Sequence, residues 1–202
     1  MGNYVNPGNE GFTVIRNGTY VDKTGLIRLV NQTIDTPRRL TCISRPRRFG
    51  KSFAAQMLCA YYDKTCDSAG LFEDLKIAGD GQYLNRYDVI YLDMTGVIGE
   101  ASGMDIVPYI QRNVIRELTE QYPQLRVVEG FAATLANAVA VTGNKFIMLI
   151  DEWDAPIREA NDQPDLQRKY IEFLRTLFKN SAMTGKIFAA AYMTGILPIK
   201  KD

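Results

Sequence analysis

The apolar positions of this chain fall into short dense runs, separated by longer stretches with a helical period. Four runs read as core strands: Leu40 to Ile43, Val89 to Met94, Phe146 to Ile150, and Lys186 to Gly195. The second is nearly continuous in apolar character, which suits burial on both faces, as in a parallel sheet. Between the runs, Phe53, Met57, Leu58 and Tyr61 recur at helical spacing. Ile106, Ile110, Val114, Leu118 and Tyr122 do the same and predict an amphipathic helix over 105–122, with Pro108 in its first turn and Pro123 at its end. Phe131 to Val141 predicts an alanine-rich helix that Gly143-Asn144 stops. After a turn at Asp154-Ala155-Pro156, the residues Leu166, Tyr170, Phe173, Leu174, Leu177 and Phe178 make one apolar face. Arg158, Arg168, Lys169 and Arg175 are expected on the solvated side of that segment, with an arginine finger among them as the alternative.

The N-terminal part is patterned differently. Residues 1–11 are rich in Gly, Asn and Pro and read as a loose lead-in. Phe12 to Ile15 and Thr19 to Val21 flank Asn17-Gly18, the dipeptide of a type I′ turn, and predict a hairpin. Asp22 or Thr24 is placed to cap a short helix containing Leu26, Ile27, Leu29 and Val30. Residues 67–81 read as a polar connection pinned to the core by Leu71, Phe72, Leu75 and Ile77, and 96–103 as a flexible one. Strands alternating with helices over 202 residues predict an α/β fold in one domain, with 1–39 as an N-terminal segment and 40–202 as the core.

Composition narrows the chemistry. The formal net charge of +1 gives no global field toward nucleic acid or an acidic membrane. The chain has no histidine, which excludes histidine triads and histidine metal sites. Cys42, Cys59 and Cys66 lack metal-ligand spacing, and the first two fall in a predicted strand and helix, as small buried thiols do. No apolar run is long enough to span a bilayer, and no signal-peptide pattern opens the chain, so the cytoplasm is the default expectation.

Two stretches carry candidate chemistry. The first runs from the strand at Leu40–Ile43 through the basic loop Ser44-Arg45-Pro46-Arg47-Arg48-Phe49 into Gly50-Lys51-Ser52 and then a helix. Strand, loop, Gly-Lys-Ser and helix is the context of a phosphate-binding P-loop, whose helix N-terminus presents backbone N–H groups and a favourable dipole to an anion. The phosphate-binding set is then Arg47, Arg48, Phe49, Gly50, Lys51, Ser52 and Phe53. Lys51 is placed to reach the β- and γ-phosphates and Ser52 to ligate Mg²⁺. The usual pattern has Gly where this chain has Arg45, and a basic turn before an ordinary helix remains the plainer alternative. The second stretch is Phe146-Ile147-Met148-Leu149-Ile150-Asp151-Glu152, five apolar residues running into two acidic ones, a Walker B pattern. Asp151 is placed to hold Mg²⁺ and Glu152 to act as general base on the attacking water. Thr194, at the end of the last strand, suits a γ-phosphate sensor and equally a strand-terminal turn. Asp93 suits support behind the Mg²⁺ site, with a strand-end turn carboxylate the simpler reading. Tyr20 and Asp22 suit packing and capping, or a position near a nucleotide base.

Four segments in order resemble the bacterial AAA-ATPase-like family: Tyr20-Val21-Asp22-Lys23-Thr24, Arg45 to Ser52, Leu149 to Pro156, and Met193-Thr194-Gly195-Ile196-Leu197-Pro198. The basic loop with Arg45 is that family's own variant. The resemblance implies an ASCE-type P-loop NTPase, a three-layer α/β/α fold with a mostly parallel sheet in the strand order 5-1-4-3-2. It implies ATP and Mg²⁺ as ligands, with Glu152, Lys51 and Thr194 as catalytic residues and Ser52 and Asp151 at the metal. A nuclease-like domain commonly follows in the family; its motif is not seen here, and nucleic acid as a partner rests on family analogy alone. The chain stops after its fourth strand, so the fifth strand and lid are expected to be missing and self-association through an uncovered edge is expected unless the N-terminal hairpin covers it. Two functions stay open: an ATPase that couples hydrolysis to a conformational change, and a non-hydrolysing nucleotide-binding module or a decayed fragment.

Overall fold

The four strands pair into one parallel sheet. The computed structural model describes residues 2–101, 104–160 and 162–197. Its elements are α1 (Glu10–Arg16), α2 (Gly25–Asn31), β1 (Leu40–Ser44), α3 (Lys51–Tyr62), α4 (Ala69–Phe72), β2 (Asp88–Asp93) and α5 (Met94–Glu100), followed by α6 (Ile106–Gln121), α7 (Phe131–Thr142), β3 (Phe146–Asp151), α8 (Ala155–Glu159), α9 (Pro164–Phe178), α10 (Ser181–Ile187) and β4 (Phe188–Gly195). The sheet order is β1-β4-β3-β2, all parallel, which is the relative order expected for these four strands.

The strand pattern distributes the core to both faces. Phe146, Met148 and Ile150 of β3 pack with α5 to α10, while Ile147 and Leu149 pack with α1 to α4. In β4, Ala191 and Met193 join the first cluster and Tyr192 the second. A register shift opposite Phe146 and Ile147 puts Ala189 and Ala190 together on the second face. β3 and β4 are buried throughout, so their carbonyl ends are held rigidly where the chain turns out of the sheet.

Several expectations are corrected. Phe12 to Ile15 lies in helix α1 and is not a hairpin strand. Phe12 and Ile15, one turn apart, share the core face, and the Phe12 ring stacks on Phe72 at 5.2 Å. Alternation would have buried Val14 with Phe12, yet Val14 is 68% exposed. Asn17 ends this helix in a right-handed conformation and makes no type I′ turn. Residues 94–100 form α5, not a flexible connection: Met94 and Val97 are buried and override the glycines. Lys186 and Ile187 belong to α10, so the last strand begins at Phe188. At α2 the N-cap residue is Thr24, but the side chain that accepts its amide is that of Asp22.

The lead-in is not loose. Val5 forms an antiparallel bridge with Ile90, and the amides of Asn6 and Tyr91 bond to Val89 O and Tyr4 O, each at 2.8 Å. The buried Glu117 carboxylate accepts the amides of Asn3, Tyr4 and Val5 at 2.8–3.0 Å. This strap covers the β2 edge of the sheet. The other edge, β1, pairs with β4 alone among the described residues.

Candidate functional site

Open parallel sheets bind ligands beyond the carboxyl ends of their strands. Here the loop after β1 and the turn after β3 meet at that end. The loop gets its shape from two left-handed residues, Arg48 (φ 67°) and Gly50 (φ 71°). Gly50 is the N-cap of α3, and a Cβ there would come within 2.5 Å of Lys23 Nζ. That ammonium donates to Phe49 O at 2.5 Å. The first backbone bond into α3 runs from Ala54 N to Gly50 O. The amides of Lys51, Ser52 and Phe53 take no partner among the described residues and lie at the positive end of a twelve-residue helix.

Lys51 is only 7% exposed. Its Nζ donates to Pro46 O at 3.1 Å and lies 3.3 Å from Glu152 Oε1. A buried ammonium without an anionic partner is costly, and Glu152 is its carboxylate partner here. Across the site, Asp151 ends β3 at 2% exposure. Its Oδ1 accepts the Thr194 hydroxyl and the Glu152 amide. Burial first, and then the Asp151 charge, push the neighbouring Tyr192 phenol well above its ordinary range, so it stays neutral.

Glu152 lies just past the strand with φ 51°, a strained conformation for a residue other than glycine. Its second oxygen, Oε2, accepts from Arg158 Nη2 at 2.6 Å. Arg158 Nε donates to Asp154 Oδ2 at 3.1 Å, and the same oxygen accepts the amides of Ile196 (3.0 Å) and Leu197 (2.8 Å). Asp154 is fully buried, and its Oδ1 and the Trp153 Nε1 have no hydrogen-bond partner among the described residues. A Cβ on Gly195 would approach these two atoms to 2.8 and 2.6 Å, so only glycine lets β4 end against this turn.

A cavity of about 480 Å³ opens between these parts, lined by Arg47, Arg48, Gly50, Lys51, Ser52, Phe53, Thr95, Glu152, Arg158 and Glu159. Seven of the residues expected at a site are therefore together. Asp151 and Thr194 are not among the lining residues and bond to each other. Phe49 is also absent from the lining, 58% exposed, with its carbonyl taken by Lys23. Arg158 was expected on a solvated face; instead it is 18% exposed and holds two carboxylates, because Asp154 lies one helical turn before it. Asp93 stands beside Asp151 in the ladder but caps α5 through Thr95 N, the simpler of its two readings. Asp22 accepts from Thr24 and Lys76, and Tyr20 donates to Met57 Sδ, which accounts for both structurally. Thr95 and Glu159 gave no signal in the sequence. Among the described residues no three carboxylate or thiol groups gather to hold a metal ion by themselves.

Comparison with known proteins gives the family. An uncharacterized protein in the vnfD 5′ region of Azotobacter chroococcum mcd 1 is 27% identical over 181 residues, covering 85% of this chain and 33% of that protein. The chain thus spans about a third of the length of that relative. No solved structure matches it. A family profile described as predicted AAA-ATPase matches residues 8–202, and the chain belongs to this AAA-ATPase-like family.

Proposed function

We propose that this chain is a P-loop NTPase domain of the ASCE type that binds ATP with Mg²⁺ in the cavity beside Lys51. One observation carries the reading: a buried ammonium, paired with Glu152, and a helix N-terminus whose first three amides have no partner among the described residues border one cavity of about 480 Å³. That volume lies within the usual range of small-molecule pockets. Cation, amides and left-handed loop form an anion cradle, and the acidic residues opposite supply what a metal–phosphate complex needs. Lys51 and the amides of residues 51–53 would bind the phosphates, with Arg47 and Arg48 at the rim. Ser52 and Asp151 would hold the metal. Asp151 Oδ1 is engaged by Thr194, and its Oδ2 takes no hydrogen bond among the described residues. Magnesium is commonly held this way, by one or two carboxylates plus substrate phosphates, and when bound it neutralises charge on the phosphate oxygens.

Glu152 would orient the attacking water and accept its proton. Thr194 would hold Asp151 in place from β4. The second reading, a nucleotide-binding module without turnover, has its own support: both Glu152 oxygens are engaged by cations, one by Lys51 and one by Arg158, and neither is left facing a water site alone. Titration of ATP with and without Mg²⁺, together with phosphate release, separates the two. Micromolar binding lost in Lys51→Ala is expected; binding that survives that substitution would place the phosphate site elsewhere. Binding without phosphate release would select the module.

A further inference from the structure

We propose that Arg158 discriminates ATP from ADP, by exchanging the Glu152 carboxylate for the terminal phosphoryl group. The proposal rests on the nucleotide-binding reading and assigns its regulation. Lys51 and Arg158 grip opposite oxygens of one carboxylate, Oε1 at 3.3 Å and Oε2 at 2.6 Å. Glu152 therefore occupies a place where an anion sits between two cations, one of which is the phosphate-binding lysine. A terminal phosphoryl group carries more charge and more acceptor oxygens than a carboxylate, and arginine binds it through two parallel N–H groups. ADP has no group to compete at that position.

The anchoring of Arg158 suits such an exchange. Nε is fixed to the buried Asp154, which also holds Ile196 and Leu197, so the stem stays while the outer nitrogens change partner. Arg47 and Arg48 also line the cavity, but they are exposed and neither touches Glu152. The exchange has a second effect. It strips both cations from Glu152 and frees the carboxylate only when a terminal phosphoryl is present.

The test is equilibrium binding of ADP and of a non-hydrolysable ATP analogue to the full chain and three variants. Arg158→Gln keeps a hydrogen-bonding group for Asp154 but no charge. The expected result is a loss of about tenfold to a hundredfold in affinity for the ATP analogue, with ADP affinity held within about twofold. Lys51→Ala should lose both ligands. Arg158→Lys keeps a charge beside Asp154 without the two-pronged grip, and should recover part of the preference; it also serves if Arg158→Gln fails to fold. An unchanged ratio of the two affinities in either Arg158 variant overturns the proposal and leaves the nucleotide site standing. Binding of neither ligand by the parent overturns both. A second readout is intrinsic: Trp153 is the only tryptophan and sits between Glu152 and Asp154. Its emission should shift with the ATP analogue and not with ADP, and the shift should vanish in Arg158→Gln. Equal shifts with both ligands would also overturn the exchange.

Discussion

At the scale of single residues, the site pairs its inner charges, Lys51, Glu152 and Arg158, with one another. Asp151 and Glu152 are adjacent, yet their surroundings differ sharply. The first ends the strand and is buried against Thr194; the second has turned into a left-handed conformation and faces two cations. The two should therefore fail differently. Asp151→Asn should weaken Mg²⁺-dependent ATP binding, read by titration with and without the metal. Glu152→Gln should leave ATP affinity equal or higher, since a neutral amide competes less for Lys51 and Arg158. In an active parent it should lower turnover by about two to four orders of magnitude. Unchanged turnover in a steady-state phosphate-release assay would remove Glu152 as the base. The Gly-Lys-Ser sequence and the Asp-Glu pair were legible in the sequence because their spacing is local. The Arg158–Asp154 pair has a local i,i+4 spacing that the sequence could have offered, whereas the contact with Glu152 depends on the turn after β3 and does not show in the pattern of one helix.

At the scale of elements, the two ends of the sheet's edge strands are managed unequally. The N-terminal strap is fastened to β2 and to Glu117, a 5% exposed carboxylate that satisfies three backbone amides. Glu117→Ala would leave those amides unpaired in a dry place. It should cost about 3 kcal/mol of stability, measured by urea unfolding. A loss below about 0.5 kcal/mol would mean that the strap is replaced by solvent without penalty. The same strap holds Tyr4, whose hydroxyl donates to Glu100 at 2.7 Å, as Tyr109 does at 2.8 Å. The Tyr4 hydrogen bond first, then that of Tyr109, hold the Glu100 carboxyl below its usual range. A group with a lower pKa in the folded chain adds stability above its unfolded pKa and loses it as pH falls through the folded value. Glu100→Gln should thus flatten the acid side of the melting-temperature profile as pH falls through and below the ordinary carboxylate range; an unaltered slope would exclude this contact as a source. The sequence resolved β2, β3, α6 and α7 because their patterns are long and one-sided. It misread α1, where Asn17-Gly18 imitates a hairpin turn, and α5, where two glycines hide a helix that only tertiary burial favours.

At the scale of the whole molecule, the question is what the 202-residue chain does with its β1 edge. The hairpin expected to cover it is helix α1, and the N-terminal strap lies on the opposite side of the sheet, along β2. The carbonyl of Arg39 and the amide of Arg45 both bond into β4. In a parallel ladder successive residues alternate between neighbours, so Cys42 and its companions two residues away turn their amides and carbonyls outward. Leu40, at the start of the strand, is 40% exposed. An uncovered strand with an apolar end is a template for a second chain. Self-association is accordingly expected, growing with concentration in light scattering or sedimentation. Leu40→Lys places a charge at the edge without touching the buried clusters, since Leu40 belongs to neither. It should shift the association to higher concentration by about tenfold, while thermal stability changes little. ATP binding should be unaffected, because Leu40 lies at the far end of β1 from the Lys51 loop. If the parent remains a monomer at high concentration, the edge is protected by something other than the strap. If Leu40→Lys associates as readily as the parent, association occurs elsewhere on the surface, and the exposed aromatic pair Phe49 and Phe53 beside the cavity becomes the next place to substitute.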